Sequence, residues 1–352
     1  MTHRIAVVPG DGIGVEVTRE AVRVLEAVRP RLQTPLELVP FDWGAERWLR
    51  DGTTLPTGAA EELSRDYAAV LFGAVGDPRV PEQVHARDIL LGLRTKLDLF
   101  INLRPVRLYD ERLTPLKGKS VRDIDLVIFR ENTEGLYAGL GGNFKKDTPD
   151  EVAINEDMNT RKGVERILRA AFDAARGRRK RLCMSDKANA LTYAHGLWQR
   201  VWHAVRREYP DVETHHLYID VAVMELVRAP ERFDVLVTSN LFGDILSDLG
   251  AAIVGGLGLA ASGNIHPGRC SLFEPVHGSA PDIAGQGVAN PLGAISSAAM
   301  MLRHLGEDGA AQVVEQVVEQ VVRDGQVTRD LGGGLSTEAC GRIVADGVAQ
   351  AP

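Results

Sequence analysis

Short β-branched and aliphatic runs recur along this chain between longer segments of helical spacing, and no other feature restricts its fold as much. The runs are IAVV (5–8), LELV (36–39), AAVLFGAV (68–75), IDLVIF (124–129) and FDVLVT (233–238). Between them Val17, Ala21 and Val24 share a helical face, as do Ile167, Ala171 and Ala174, so the intervening segments are expected to be crossover helices. That alternation indicates an α/β protein with a partly parallel sheet.

A chain of 352 residues that is 44% hydrophobic is long enough for a well-buried core and for two domains. Its formal charge of −7 argues against a nucleic-acid binder, which needs a concentrated basic surface. The one dense basic run, Arg176 to Arg181, is read as the end of an amphipathic helix that begins near Asp157 and leads into a strand. Cys183, Cys270 and Cys340 are scattered without C-x-x-C spacing, which fits a reducing cytosol. The start MTHRIAVVPGDG lacks the apolar core of a signal peptide, and no apolar stretch is long enough to span a bilayer. A cytoplasmic protein with no membrane or nucleic-acid partner is expected.

Three segments stand apart. VVEQVVEQVVRDG (313–325) repeats every four residues, as a helix packed on one side would. LYAGLGGNFKKDTPDEVAI (136–154) is rich in Gly and polar residues and suits an arm that reaches a partner subunit. The stretch 263–291 is long, Gly/Pro-rich and expected to be irregular, and irregular segments of that length are usually functional.

Candidate chemistry begins with PGDGIG (9–14), which lacks the last glycine of the dinucleotide fingerprint and leaves a plain tight turn and a ligand-lining loop equally open. Arg94, Arg104 and Arg130 each sit at or near the end of an apolar element, where converging guanidinium groups would bind a di- or tricarboxylate. Asp244 and Asp248 lie one turn apart on an apolar helix, unfavourable for two like charges unless a cation sits between them, and oxygen ligation selects Mg²⁺ or Mn²⁺. Asp220 is a candidate third carboxylate. Lys187, in MSDKANA, could serve as a base if neighbouring arginines and a divalent ion lower its pKa; by itself it reads as a surface residue, as does Tyr137 in ENTEGLY.

Together these segments resemble the β-decarboxylating dehydrogenases that act on isopropylmalate, isocitrate, homoisocitrate or tartrate. The resemblance runs from VVPGDGIG through LRTKLDLFINLRP, RENTEGLY, DKANAL, FDVLVTSNLFGDILSDL, GLGLAASGNI and EPVHGSAPDIAGQGVANP to SAAMMLRHLG. It implies the two-domain isocitrate/isopropylmalate dehydrogenase-like α/β fold, not a Rossmann fold. The first domain would be discontinuous, residues 1–99 plus 252–352, and residues 100–251 would form a second, dimerising domain.

The resemblance also assigns roles. Arg94, Arg104 and Arg130 would hold the malate part of the substrate. Asp244 and Asp248 of one subunit and Asp220 of the other would bind the metal. Tyr137 matches the family's general acid and Lys187, lent by the second subunit, its base. Asp282 lies where NAD users place an acid against the adenosine ribose, and NADP-linked relatives carry Lys-Tyr at the positions of Asp282 and Ile283. Ile13, Glu274, His277, Gly278, Ala280 and Asn290 would be further cofactor contacts. Leu90 and Leu91 offer an apolar wall to an isopropyl group, so 3-isopropylmalate is the expected substrate. Arg87, where many isopropylmalate enzymes carry glutamate, and the RENTEG form of the motif leave the isocitrate and homoisocitrate alternatives open, and tartrate enzymes can also show the Leu-Leu pair. A non-catalytic regulatory paralogue would typically have lost a metal aspartate or an arginine, and none is missing here.

Overall fold

The computed structural model describes residues 2–351, which divide into two compact units. The first comprises the chain up to Leu99, Arg107–Val121 and everything from Ala251 onward; the second comprises Phe100–Val106 and Arg122–Gly250. The sequence expectation kept 100–251 together, so the return of Arg107–Val121 to the first unit is a correction. Tyr109 and Leu113 of this segment pack on the core of the first unit, and polar ties reach the helix Asp308–Arg323. Arg107 pairs with Glu319 at 2.7 Å, Arg323 Nε donates to the Tyr109 carbonyl at 3.3 Å, and the Arg112 guanidinium donates to the Val322 carbonyl.

In the first unit the strands run in the order Leu36–Pro40, His3–Gly10, Ala69–Ala74, Ser271–Pro275 and Ala261–Ile265. The first four are mutually parallel and the last is antiparallel to its neighbour. Alternate residues feed opposite faces. Ile5, Val7, Leu71 and Phe273 join one core with the helices Ile13–Val28, Leu292–His304, Asp308–Arg323 and Thr337–Gln350; Ala6, Val8, Val70, Phe72 and Leu272 join another with Leu63, Ile89 and Leu93. Cover on both faces explains why these strands read as unbroken apolar runs. The repeat at 313–325 lies mostly in Asp308–Arg323, which buries Val314, Val318, Val321 and Val322.

The stretch 263–291 is only partly irregular, because Ala261–Ile265 and Ser271–Pro275 pair with Ser262 opposite Glu274. Glycine and proline masked a short antiparallel hairpin there.

The second unit orders its strands Ile101–Arg107, Asp125–Glu131, Val235–Thr238, Arg181–Asp186 and Glu213–Tyr218. Its main helix, Arg161–Arg176, starts later than expected because the Thr160 side chain caps it by accepting from Gly163 N–H. Phe172 on that helix stacks on Trp202 and Tyr209, with ring centroids 5.2 and 4.5 Å away. The expected arm is an antiparallel hairpin, Gly141–Phe144 with Val152–Asn155, exposed throughout. Its register, Phe144 opposite Val152 and Gly142 opposite Ile154, puts Phe144, Val152 and Ile154 on one face. Among the described residues no helix is long and apolar enough to cross a membrane.

Candidate active site

Parallel pairing in the second unit sets Arg130 beside Thr238, Thr238 beside Ser185, and Asp186 beside Tyr218. Arg130, Lys187, Asp220 and the helix Asn240–Ala252 therefore all lie at the carboxyl ends of neighbouring strands, where open α/β sheets bind ligands.

Two of the three candidate arginines converge there. Arg104 and Arg130 are both buried. Arg130 Nε donates to Asn240 at 3.0 Å and its Nη1 pairs with Asp244. Arg104 donates to Asn102 at 2.8 Å and to Ser247 at 2.6 Å, with its Nη1 at 3.5 Å from a carboxylate oxygen of both Asp244 and Asp248. A guanidinium thus stands between two like charges one helical turn apart, the position the sequence reserved for a cation. Burial pushes the Asp248 carboxyl above its usual range; Arg104 opposes this and Asp244 adds to it. Tyr137, under the Arg130 guanidinium at 5.5 Å, donates its hydroxyl to Asp244 at 3.1 Å. Burial, and then the Asp244 charge, raise the Tyr137 pKa, so the phenol keeps its proton.

The helix comes this close through its glycines. A Cβ on Gly243 would stand 2.5 Å from Cβ and Cγ of Arg130, and one on Gly250 would stand 2.6 Å from Val106.

Lys187 and Asp220 form an ion pair, and the interaction holds the Asp220 carboxyl below its usual range. Within one chain, this carboxylate is a charged neighbour of Lys187. Among the described residues no three His, Cys, Asp or Glu side chains form a metal cluster, so one chain does not bring Asp220 to Asp244 and Asp248. Two carboxylates one turn apart do fit a hard divalent cation as an incomplete oxygen donor set.

The first unit holds the other candidates. PGDGIG is a tight junction: a Cβ on Gly10 would meet the Ala74 carbonyl at 1.9 Å, and Ile13 N–H donates to the Ser279 carbonyl at 2.8 Å. Asp11, which sequence reasoning passed over, accepts from Ala45 N–H at 2.6 Å, Gly76 N–H at 2.8 Å and buried His85 at 2.9 Å. Arg94 donates to buried Glu274 at 2.9 Å, and Glu274 also accepts from Asn264 at 2.8 Å. Asn290 is engaged by Asp330 at 3.0 Å and Leu292 N–H at 3.0 Å. His277 Nδ1 lies 3.0 Å from the Gly278 carbonyl while its buried Nε2 has no partner, and burial lowers its pKa. Ala280 holds a positive φ of 39° in the same loop, and Asp282 is exposed.

Leu90 and Leu91 lie on a π-helical turn, Arg87–Leu91, just before Gly92–Lys96 with Arg94. Wider turns of this kind are frequent at functional sites. Leu91 is exposed and Leu90 packs partly on the core, whereas Arg87 is in solvent, 3.7 Å from Asp88.

The carboxylates of RENTEG and the arginines of the basic run are taken up in structural contacts. In RENTEG, Glu131 accepts from Thr133 and Glu134 N–H at 3.0 and 2.8 Å, and Glu134 accepts from Thr160 N–H at 2.7 Å. In the basic run, Arg176 pairs with Asp211 at 2.8 Å, and Arg178 reaches Asp125 and Asp234, each at 2.8 Å. Neither Asp11, Gly243 nor Gly250 could be singled out from one sequence, since their partners are distant in the chain; the run of glycines around Asp11 was the only available signal.

The family described as isocitrate/isopropylmalate dehydrogenase matches residues 4–344. A 3-isopropylmalate dehydrogenase of Thermobifida fusca (strain YX) is 51% identical, covering 99% of this chain and 98% of that protein. One of Mycobacterium avium (strain 104) is 51% identical, covering 97% and 99%. Among solved structures, the isocitrate dehydrogenase from Methylococcus capsulatus is similar with a TM-score of 0.89 at 39% identity, covering 99% of this chain and 100% of that one. A beta-decarboxylating dehydrogenase from Thermococcus kodakarensis in apo form gives 0.79 at 37%, covering 99% and 96%. The chain belongs to the isocitrate/isopropylmalate dehydrogenase family.

Proposed function

We propose that this enzyme oxidises 3-isopropylmalate with NAD and a divalent metal, then releases the adjacent carboxylate as CO₂ to give 4-methyl-2-oxopentanoate. The observation that carries the substrate is 51% identity, over nearly the whole chain, to proteins named 3-isopropylmalate dehydrogenase. The Leu90–Leu91 turn supports it, because two aliphatic side chains suit an isopropyl group and give an extra carboxylate no partner. The two features that favoured other substrates lose weight. Arg87 is paired in solvent, and the carboxylates of RENTEG are taken up by their own loop and by Thr160.

Arg104 and Arg130, with Arg94, hold the substrate carboxylates. Lys187 takes the hydroxyl proton while hydride leaves the same carbon, so a ketone forms. The bond to the neighbouring carboxylate then breaks, CO₂ departs with its carbon, and the electron pair passes into an enolate. Tyr137 returns a proton to the enolate carbon, which the hydrogen bond to Asp244 has kept on its oxygen. Asp244 and Asp248, with Asp220 of a second copy, would hold Mg²⁺ or Mn²⁺, which lowers a hydroxyl pKa and stabilises developing negative charge. NAD, when bound, would supply the hydride acceptor. Asp282 is exposed in the loop that would receive the adenosine ribose, and its charge disfavours a 2′-phosphate there.

A homodimer with shared sites is part of this reading: Asp220 does not join Asp244 and Asp248 in a metal cluster among the described residues of one chain, and a second copy would supply it. Apolar side chains left in solvent on the same unit support it: Phe144 and Ile154 on the hairpin, Met224 on Ile219–Arg228, and Ile245 on the helix of the aspartates.

The test is NADH formation with isopropylmalate, isocitrate, homoisocitrate, malate and tartrate, each with Mg²⁺, Mn²⁺ or EDTA. The highest kcat/KM is expected for isopropylmalate, with no turnover in EDTA. A higher value for isocitrate or homoisocitrate would overturn the substrate, and activity in EDTA would overturn the metal.

A further inference from the structure

Lys187 follows directly on the strand Arg181–Asp186, and its backbone is tied on both sides. Its carbonyl accepts from Ala190 and Leu191 N–H at 2.9 and 2.8 Å, closing a turn. Its own N–H donates to His195 Nδ1 at 2.8 Å. A backbone N–H can only donate, so Nδ1 must present its lone pair and any ring proton of the neutral imidazole must lie on Nε2.

His195 is 1% exposed, and its surroundings fix the ring. Nε2 lies 3.6 Å from Asp157, at the foot of the hairpin arm, and the ring meets Phe242 edge-on with centroids 5.1 Å apart. Phe242 precedes Asp244 by two residues on the helix of the paired aspartates. One imidazole therefore touches the segment that carries Lys187, the base of the arm and the helix of Asp244 and Asp248. Burial lowers its pKa, with Asp157 and Asp186 opposing, so the lone pair on Nδ1 is available at neutral pH.

We propose that His195 is a positioning residue for Lys187: by accepting the Lys187 backbone N–H at Nδ1, it sets where the lysine side chain arises and hence where its amine stands. The proposal rests on the reading of Lys187 as the base. Four methylenes separate the amine from its α-carbon, so a small backbone shift at Lys187 is carried to the reacting atom. A misplacement of about 1 Å at a reacting group can cost about 100-fold in rate.

Asparagine and glutamine separate a positioning role from a packing role. His195→Asn keeps an acceptor oxygen close to the place of Nδ1, while His195→Gln moves the amide toward the place of Nε2 and leaves the Lys187 N–H without its acceptor. Both are polar and of similar bulk, so a general cost of altering the site falls on both. His195→Gln is expected to lower kcat by roughly 10- to 100-fold with KM for substrate and for NAD unchanged. His195→Asn is expected to retain most of kcat, with melting temperatures of the two variants alike. Equal losses in the two, or no loss in either, would overturn the positioning role. Lys187→Ala, measured alongside, tests the base separately: an inactive Lys187→Ala with equal asparagine and glutamine variants sinks only the role of His195, whereas an active Lys187→Ala sinks the base itself.

Discussion

Gly243 lies against Arg130 so closely that a single added methyl would overlap the arginine side chain. The helix that carries Asp244 can pair with Arg130 only because position 243 has no side chain. Gly243→Ala must push the helix or the arginine aside, an overpacking cost of about 1–3 kcal/mol. Thermal unfolding should show that loss, and kcat/KM for isopropylmalate should fall by roughly 10- to 100-fold as Arg130 moves. A variant with the parent's Tm and kinetics would mean that the helix yields freely.

The proposed sharing of the site between two copies has a direct consequence. Lys187→Ala and Tyr137→Phe, each inactive alone, should regain part of the activity when mixed and allowed to exchange subunits, because a hybrid dimer contains one intact site. Absence of recovery after exchange verified by mass would exclude sharing.

Leu90 and Leu91 are the proposed determinants of substrate choice. An apolar pocket separates substrates that differ by one methylene by about 10- to 200-fold, and an unpartnered carboxylate should be rejected more strongly still. Leu90→Ser with Leu91→Asn should lower kcat/KM for isopropylmalate and narrow the gap to isocitrate, with malate changed least. Leu90 also packs on the core, so a small loss of Tm is expected from that half of the double change. An unaltered preference between isopropylmalate and isocitrate would remove the pair from the specificity determinants.

Acid should destabilise the fold before its carboxylates titrate. Burial lowers the pKa of His195, His215, His277 and His304. Below about pH 6.5 the unfolded chain binds more protons at these positions than the folded chain. Stability therefore rises with pH through that window and falls as the pH drops through it. Differential scanning calorimetry from pH 8 to pH 5 should show Tm declining below about 6.5; a flat Tm down to pH 5 would contradict this.

The sequence determined the features that depend on residues near one another in the chain. Unbroken runs such as IAVV and FDVLVT marked strands, and the spacing of Val17, Ala21 and Val24 marked a helix face, because burial writes its period into neighbouring residues. The four-residue step from Asp244 to Asp248 placed two carboxylates on one face for the same reason. Tertiary structure decided what those residues meet. Arg104 stands between the two aspartates, Arg94 is tied to Glu274, and Lys187 faces Asp220 with His195 behind its backbone. The pairing of Arg107–Val121 with the helix Asp308–Arg323 and the hairpin hidden at 261–275 belong with them. Each joins residues whose separation along the chain carries no periodic signal, so only packing could bring them together and reveal which charge answers which.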